Sequence, residues 1–251
     1  MSFRHPQILD LARRDGRVTV DGLAETLGVT VQTIRRDLTQ LTEAGHLTRV
    51  HGGAVLPSGV TNLAHADRRA LNAQAKARIA AHVARLIPDR ASLFLNVGTT
   101  TEAVAQALRG HDGLLVVTNN LNVAQTLADS SAEVVLTGGT LRPADGALTG
   151  ALAAAAVARF KVDLAIIGCS AMDADGDLLD FDASEVEVSQ AILAQARRRI
   201  LVADASKLDR AAPVRIAHLD QIDVWVTDAD PPAALRSRCG DWGTDTNVVH
   251  S

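Results

Sequence analysis

From residue 92 onward the chain alternates short apolar runs with amphipathic stretches of helical length, and this pattern restricts the fold more than any other. Apolar runs at 92–97, 114–117, 134–136, 162–167, 200–202 and 224–226 are separated by helical patterns at 101–108, 120–127, 148–160 and 184–196. Strands without polar alternation are buried on both faces, and successive strands joined through helices run parallel. The expectation is a mostly parallel sheet covered on both sides, with 224–226 as its last strand. Residues 67–87 read as one charged, then amphipathic, helix ahead of it, broken by Pro88.

In open sheets of this kind ligands bind beyond the carboxyl ends of the strands. There the chain carries Gly98, Thr99, Thr100 and Thr101; then Thr118, Asn119 and Asn120; then Thr137, Gly138 and Gly139 with Arg142; then Asp204 and Lys207. A glycine followed by hydroxyls and free helix-start N–H groups suits a phosphate-sized anion, and lysine supplies a counter-charge. Taken singly, each loop is also an ordinary turn with a capping threonine. Together on one rim they favour a small phosphorylated polyol or sugar.

The first 56 residues are organised differently. Three helical patterns are expected, over 6–14, after Thr19, and after Thr30, with Gly28 ending the second and Gly45 the third. Residues 17–20 read as a short bridging segment. Residues 47–50 and 54–56, around Gly52 and Gly53, read as a hairpin. That is a helix-turn-helix followed by a wing. In the third helix Ile34, Leu38 and Leu41 form the core face. Thr30, Gln32, Thr33, Arg35 and Arg36 lie towards its N-terminal end, with Arg49 and His51 on the wing. Arginine pairs bidentately with guanine, glutamine with adenine, and either arginine can instead hold a phosphate. The expected partner is double-stranded DNA.

Charge agrees in sign. The chain carries a net −4, made of about +1 over residues 1–56 and about −5 over the remainder. Aromatics are 2% of the residues, which argues against stacking on single-stranded bases. Cys169 and Cys239 are far apart and in no metal-ligand spacing. No metal, no cofactor and no catalytic residues are expected. No apolar stretch reaches membrane-spanning length and no signal-peptide core is present, so a cytoplasmic location is expected.

Two motifs carry a resemblance. Thr33-Ile34-Arg35-Arg36-Asp37-Leu38, followed by Leu47-Thr48-Arg49-Val50-His51-Gly52-Gly53-Ala54, resembles the signature of the DeoR family of bacterial transcriptional regulators. The loops at 98–101, 117–120, 137–139 and 204–207 resemble that family's effector-sensing domain, which is related in fold to sugar-phosphate isomerases. The resemblance implies a winged helix-turn-helix at 1–57, a linker at 58–75 and an α/β phosphorylated-effector-sensing domain at 76–251. It implies a repressor acting on operator DNA as a homo-oligomer, commonly a tetramer. It also implies that the phosphate is held at 98–101 with help from Lys207. A narrower likeness, over 98–105, 117–124 and 176–182, points to glycerol 3-phosphate as effector, with Asn122, Asp180 and Asp182 as the discriminating residues. Ala171 and Met172 depart from the family's usual Gly-Ile at that place. Two alternatives stand beside this reading: an isomerase-like enzyme with an appended DNA-binding module, and a repressor of the same build sensing another sugar phosphate. Against the enzyme, no general base with an orienting partner can be assembled, Glu185 and Asp173 being candidates only by default.

Overall fold

The computed structural model describes residues 4–15, 17–50, 52–55, 65–208 and 210–250. The chain divides into two units, 1–61 and 62–251.

The first unit is built from α1 (His5–Asp15), β1 (Arg17–Thr19), α2 (Val20–Leu27), α3 (Val31–Glu43), β2 (Thr48–Val50) and β3 (Gly53–Val55). Thr19 caps α2, its hydroxyl accepting from the Gly22 N–H at 3.1 Å, so the cap forms even though no glutamate completes a capping box. Gly28 ends α2 in the left-handed region and Thr30 starts α3, accepting from the Thr33 N–H. The helices close over Ile8, Leu23, Ile34, Leu38, Leu41 and Leu47, all nearly or fully buried. The segment read as a bridge is a strand: β1 pairs with β3, giving a three-stranded sheet in the order β1-β3-β2. Gly53 permits this approach, since a Cβ there would meet the Val18 carbonyl oxygen at 2.0 Å. A polar tie between the helices runs through Asp37. Asp37 of α3, buried, accepts from Arg4 Nε at 3.1 Å and lies 3.3 Å from His5 Nε2.

The second unit opens with α4 (His65–Ala70) and α5 (Ala73–Leu86). Sequence periodicity suggested one helix here. Asn72, with φ 53°, breaks it into two and turns the chain. Then follow β4 (Ser92–Leu95), α6 (Thr99–Leu108), β5 (Leu115–Thr118), α7 (Leu121–Leu127), β6 (Glu133–Leu136), β7 (Thr140–Arg142), β8 (Ala147–Thr149), α8 (Ala151–Val157) and β9 (Val162–Ile167). The chain continues through β10 (Ala171–Met172), β11 (Asp177–Asp180), α9 (Ala183–Ala194), β12 (Ala196–Val202), β13 (Val214–His218), β14 (Val224–Thr227), α10 (Ala233–Trp242) and β15 (Asp245–Val248).

Seven strands form the expected parallel sheet, in the order β15-β14-β12-β9-β4-β5-β6. One apolar cluster includes Ile79, Val83, Leu93, Leu95, Val104 and Ile166; the other includes Phe94, Val117, Ile167, Ile192, Leu201 and Trp225. Strands alternate their side chains between faces, which is why neighbours such as Leu93 and Phe94 fall into different clusters. Several sequence expectations are corrected. Strand 224–226 is not the last, because β15 adds a parallel edge beyond it. The alanine-rich helix is shorter than 148–160: Leu148 and Thr149 pair in β8 with β7, and Gly150 precedes the helix. Ala196 starts a strand rather than ending a helix. A small antiparallel sheet, β10-β11-β13, was not expected at all, its strands being too short to show a period. Ala171 and Met172, the departure noted above, are fully buried in it. No helix among the described residues is long and apolar enough to cross a membrane.

Strand order reverses at β4. The chain runs outward through β5 and β6, then returns to place β9, β12, β14 and β15 on the other side. The crevice beyond the carboxyl ends of β4 and β9 is therefore the topological switch point, where open sheets of this type bind ligands.

Candidate functional site

In the first unit α3 presents Gln32, Arg35 and Arg36 to solvent, while Ile34, Asp37, Leu38 and Leu41 are buried. Thr30 and Thr33 spend part of their capacity on the cap, their hydroxyls 2.9 Å apart. Arg49 is exposed on β2. His51 lies outside the described residues. The result is a helix anchored along one face, with two adjacent guanidinium groups and an amide on the other, a form suited to the major groove.

At the switch point of the second unit, α6 begins at Gly98, whose φ of 150° favours glycine, and no side chain caps the helix. Its first-turn N–H groups face the crevice end of β4, where the helix dipole favours an anion. The three threonines divide. Thr101 is fully buried and donates to the carbonyls of Asn96 and Gly98, each at 2.8 Å, which shapes the turn. Thr100 is buried. Thr99 reaches the Arg68 carbonyl at 3.4 Å. The turn is tied to β9 as well, since Asn96 Oδ1 accepts from the Gly168 N–H at 3.1 Å.

Cationic groups gather beside this turn. Lys207 closes a short 3-10 turn, Ala205–Lys207, started by Asp204. Burial lowers the Lys207 pKa, Arg210 lowers it further, and Asp204 opposes both. Burial also works against the charge on Asp204, but Lys207, Ser206, Asn72 and Lys76 outweigh it and hold the carboxyl below the usual range. Lys76 and Arg68 complete the group. The electrostatics of Lys76 involve Asp204, Lys207, Arg210 and Arg68 together, and the buried Arg68 Nε has no partner among the described residues. Lys207 and Lys76 act on the Asp204 carboxylate, with Arg68 beside them and an uncapped helix start next to them, a charge arrangement that suits a dianion. Cys169 lies near by, but burial pushes its thiol up to about 12, which removes it as a nucleophile near neutral pH.

The other residues singled out from sequence form the wall. Thr118 donates to the Leu95 carbonyl at 2.7 Å and accepts from the Asn120 N–H at 3.0 Å. Asn120 caps α7. Asn119 donates to the Leu148 carbonyl at 3.1 Å, and its Oδ1 is buried with no partner among the described residues. Gly138 is an exposed turn residue with nothing close to it. Arg142 is taken up by carboxylates: it reaches Asp145 at 2.7 and 2.8 Å, Asp182 at 2.6 Å, and Glu185. Asp182 also caps α9 through the Ser184 N–H at 2.8 Å. Arg68 Nη2, 3.3 Å from Asp145, joins this acidic cluster to the cationic one. The structure thus brings Thr99, Lys207 and, through Arg68, Arg142 and Asp182 into one connected rim. Gly138 stays apart from these contacts.

Comparison with known proteins matches both units to one family. Residues 4–60 match the DeoR-like helix-turn-helix domain, and residues 71–229 match the DeoR C terminal sensor domain. The chain belongs to the DeoR family. It is 43% identical over 233 residues to the "Glycerol-3-phosphate regulon repressor" of Escherichia coli (strain K12), covering 92% of each chain. It is 41% identical over 239 residues to the "HTH-type transcriptional repressor CsqR" of the same strain, covering 95% of this chain and 92% of that one. Likeness to solved structures is slight: a ribose 5-phosphate isomerase from Methanocaldococcus jannaschii superposes with a TM-score of 0.41 over 55% of each chain at 14% identity.

Within this DeoR-family sensor unit, sequence reasoning passed over Arg68, Lys76, Glu102 and Asp145. Lys76 left a signal. It sits with Ile79, Ala80 and Val83 on the buried face of α5, where a lysine is out of place unless it is partnered. Arg68, Glu102 and Asp145 left none, because their roles depend on which loops the sheet brings together.

Proposed function

We propose that this DeoR-family chain is a transcriptional repressor whose operator affinity is weakened by glycerol 3-phosphate. The reading is supported most by the pairing of an exposed Gln32, Arg35 and Arg36 helix with a sensor unit whose switch point gathers Lys207, Lys76 and Arg68 at an uncapped helix start. The relative named for the glycerol-3-phosphate regulon directs the choice among phosphorylated ligands. The phosphate sits on the first-turn N–H groups of α6 between Thr99 and Lys207. The polyol end extends towards Asn119, whose unpartnered Oδ1 accepts from a hydroxyl. The protein works in the cytoplasm as a homo-oligomer, a tetramer by family, on operator half-sites about one helical turn or a multiple of it apart. It carries out no chemistry on the ligand.

The test is a thermal titration with glycerol 3-phosphate against glycerol, inorganic phosphate and fructose 1-phosphate, followed by operator binding with and without the ligand. A ligand that binds only the folded state stabilises it by roughly 2.7 kcal/mol at a hundred-fold excess over Kd. Stabilisation by glycerol 3-phosphate alone, with weakened operator binding, is the expected result. A response to fructose 1-phosphate instead replaces the effector but keeps the regulator.

A further inference from the structure

Glu102 stands one residue beyond the threonine turn and is buried, with its side chain 5% exposed. Its Oε1 lies 2.8 Å from His65 Nε2, and it accepts from Asn122 Nδ2 at 2.8 Å and from Asn120 Nδ2 at 3.5 Å. Its Oε2 accepts from Arg69 Nε at 2.7 Å. A carboxylate only accepts, so His65 carries its hydrogen on Nε2. Two of these donors come from α4. The other two come from the β5–α7 junction that forms the wall of the switch-point crevice.

The remaining polar ties of α4 lead to the same crevice. The Arg68 carbonyl accepts from Thr99 and from Lys76, the Arg68 Nη2 meets Asp145, and the Arg68 Nε is buried without a partner among the described residues. Asn122 bridges the two ends of this arrangement, donating both to Glu102 and to the Asp145 carbonyl at 2.9 Å. Just beyond α4, Asn72 donates to Asp204 at 3.0 Å. Among the described residues, α4 is the first element after the DNA-binding unit, and its described polar ties include several to the loops of the candidate site.

We propose that Glu102 is a positioning residue that couples effector occupancy to α4, and through the chain connection to the DNA-binding unit. The proposal rests on the reading of loop 98–101 as the phosphate site. A dianion on the first turn of α6 occupies the positive helix end that Glu102 already shares, about one helical turn or less away. It repels the Glu102 carboxylate and attracts the cations of α4, beginning with the unspent Nε of Arg68. Effector and Glu102 therefore pull on different donors of one short helix, Arg68 against His65 and Arg69, and the position of α4 differs between the two states. That is the differential interaction a ligand needs to shift a conformational equilibrium.

The experiment measures operator affinity with and without saturating glycerol 3-phosphate for wild type, Glu102→Gln and Arg69→Gln. Glutamine keeps the shape of Glu102 and removes its charge. Arg69 is 55% exposed, so its replacement alters the latch from the α4 side without disturbing the core. Both variants are expected to bind operator and glycerol 3-phosphate. The weakening of operator binding by effector is expected to drop from about tenfold or more in wild type, the usual size of such coupling, to about twofold or less. Should Glu102→Gln fail to fold, Arg69→Gln alone decides the matter. Wild-type coupling in the folded variants overturns the proposal and leaves Glu102 as structural support. If wild type itself shows no response to glycerol 3-phosphate, the site reading fails and the coupling fails with it.

Discussion

The ammonium of Lys76 donates to the carbonyl of Leu71 at 2.7 Å and also to that of Arg68, so a buried lysine closes the end of α4. Burial lowers its pKa from 10.5 to about 8; Asp204 opposes the shift, and Lys207, Arg210 and Arg68 add to it. The unfolded chain keeps this proton to higher pH than the folded one. Between those two values the unfolded state binds more protons, and stability contributed by this group rises with pH. Below about 8 both states are charged and the contribution is flat. Both tryptophans, Trp225 and Trp242, lie in the second unit, so their fluorescence follows that unit alone. Urea midpoints read this way should rise from pH 8 to pH 10 less in Lys76→Met than in wild type. Parallel curves would mean that Lys76 titrates as an exposed lysine does.

In the proposed effector site Lys207 supplies the counter-charge. Lys207→Ala is expected to raise the glycerol 3-phosphate concentration needed to release operator by tenfold or more, the size of a lost charge-assisted contact of about 1.5–3 kcal/mol. Operator affinity without effector should stay near wild type. Induction curves for the two proteins decide it, and superimposable curves would remove Lys207 from the site.

The sequence exposes the sheet, the winged helix and the loops at the strand ends because each depends on local pattern. Apolar runs such as 164–167 are buried on both faces, and Thr19, Gly28 and Thr30 mark helix ends through their own backbone chemistry. What stayed hidden depends on distant partners. Arg142 reads as a free cation near a glycine turn, yet it meets Asp182 and Glu185 some forty residues later in the chain. Asn72 breaks a periodic helix at a position joined to Asp204, 132 residues away. Part of β8 reads as helix because Leu148 and Thr149 adjoin the alanine-rich run, and Leu148 suits a helix as well as a buried strand.

Arg35 and Arg36 are exposed neighbours on α3, about 100° apart around the helix, so the two do not contact the groove alike. One reading a guanine edge contributes about 1–3 kcal/mol of base discrimination, whereas one on a phosphate weakens all sequences uniformly. Arg35→Ala and Arg36→Ala should each reduce operator binding while leaving the ligand-induced thermal shift unchanged. Titrations against operator and scrambled DNA at two salt concentrations would then assign the roles. Wild-type operator affinity in both variants would displace α3 as the reading element.

Glu185 is expected to tilt the pH dependence the other way from Lys76. Burial raises its pKa from 4.5 to about 7, the nearby Asp180 adds to the rise, and Arg142 opposes it. Arg142 cannot reverse the shift because it is shared with Asp145 and Asp182. The folded state here holds a proton that the unfolded chain has already lost, so stability from this group is present below about 4.5 and is lost as pH rises through about 7. Glu185→Gln keeps a neutral group of the same shape at every pH. It should match wild type near pH 5 and exceed it at pH 8 by on the order of 1–3 kcal/mol, each tenfold difference in proton affinity between the folded and unfolded states being worth about 1.4 kcal/mol. Tryptophan-detected urea midpoints at the two pH values provide the comparison. A variant less stable than wild type at pH 8 would show that the ion pair with Arg142 outweighs the cost of burying the carboxylate.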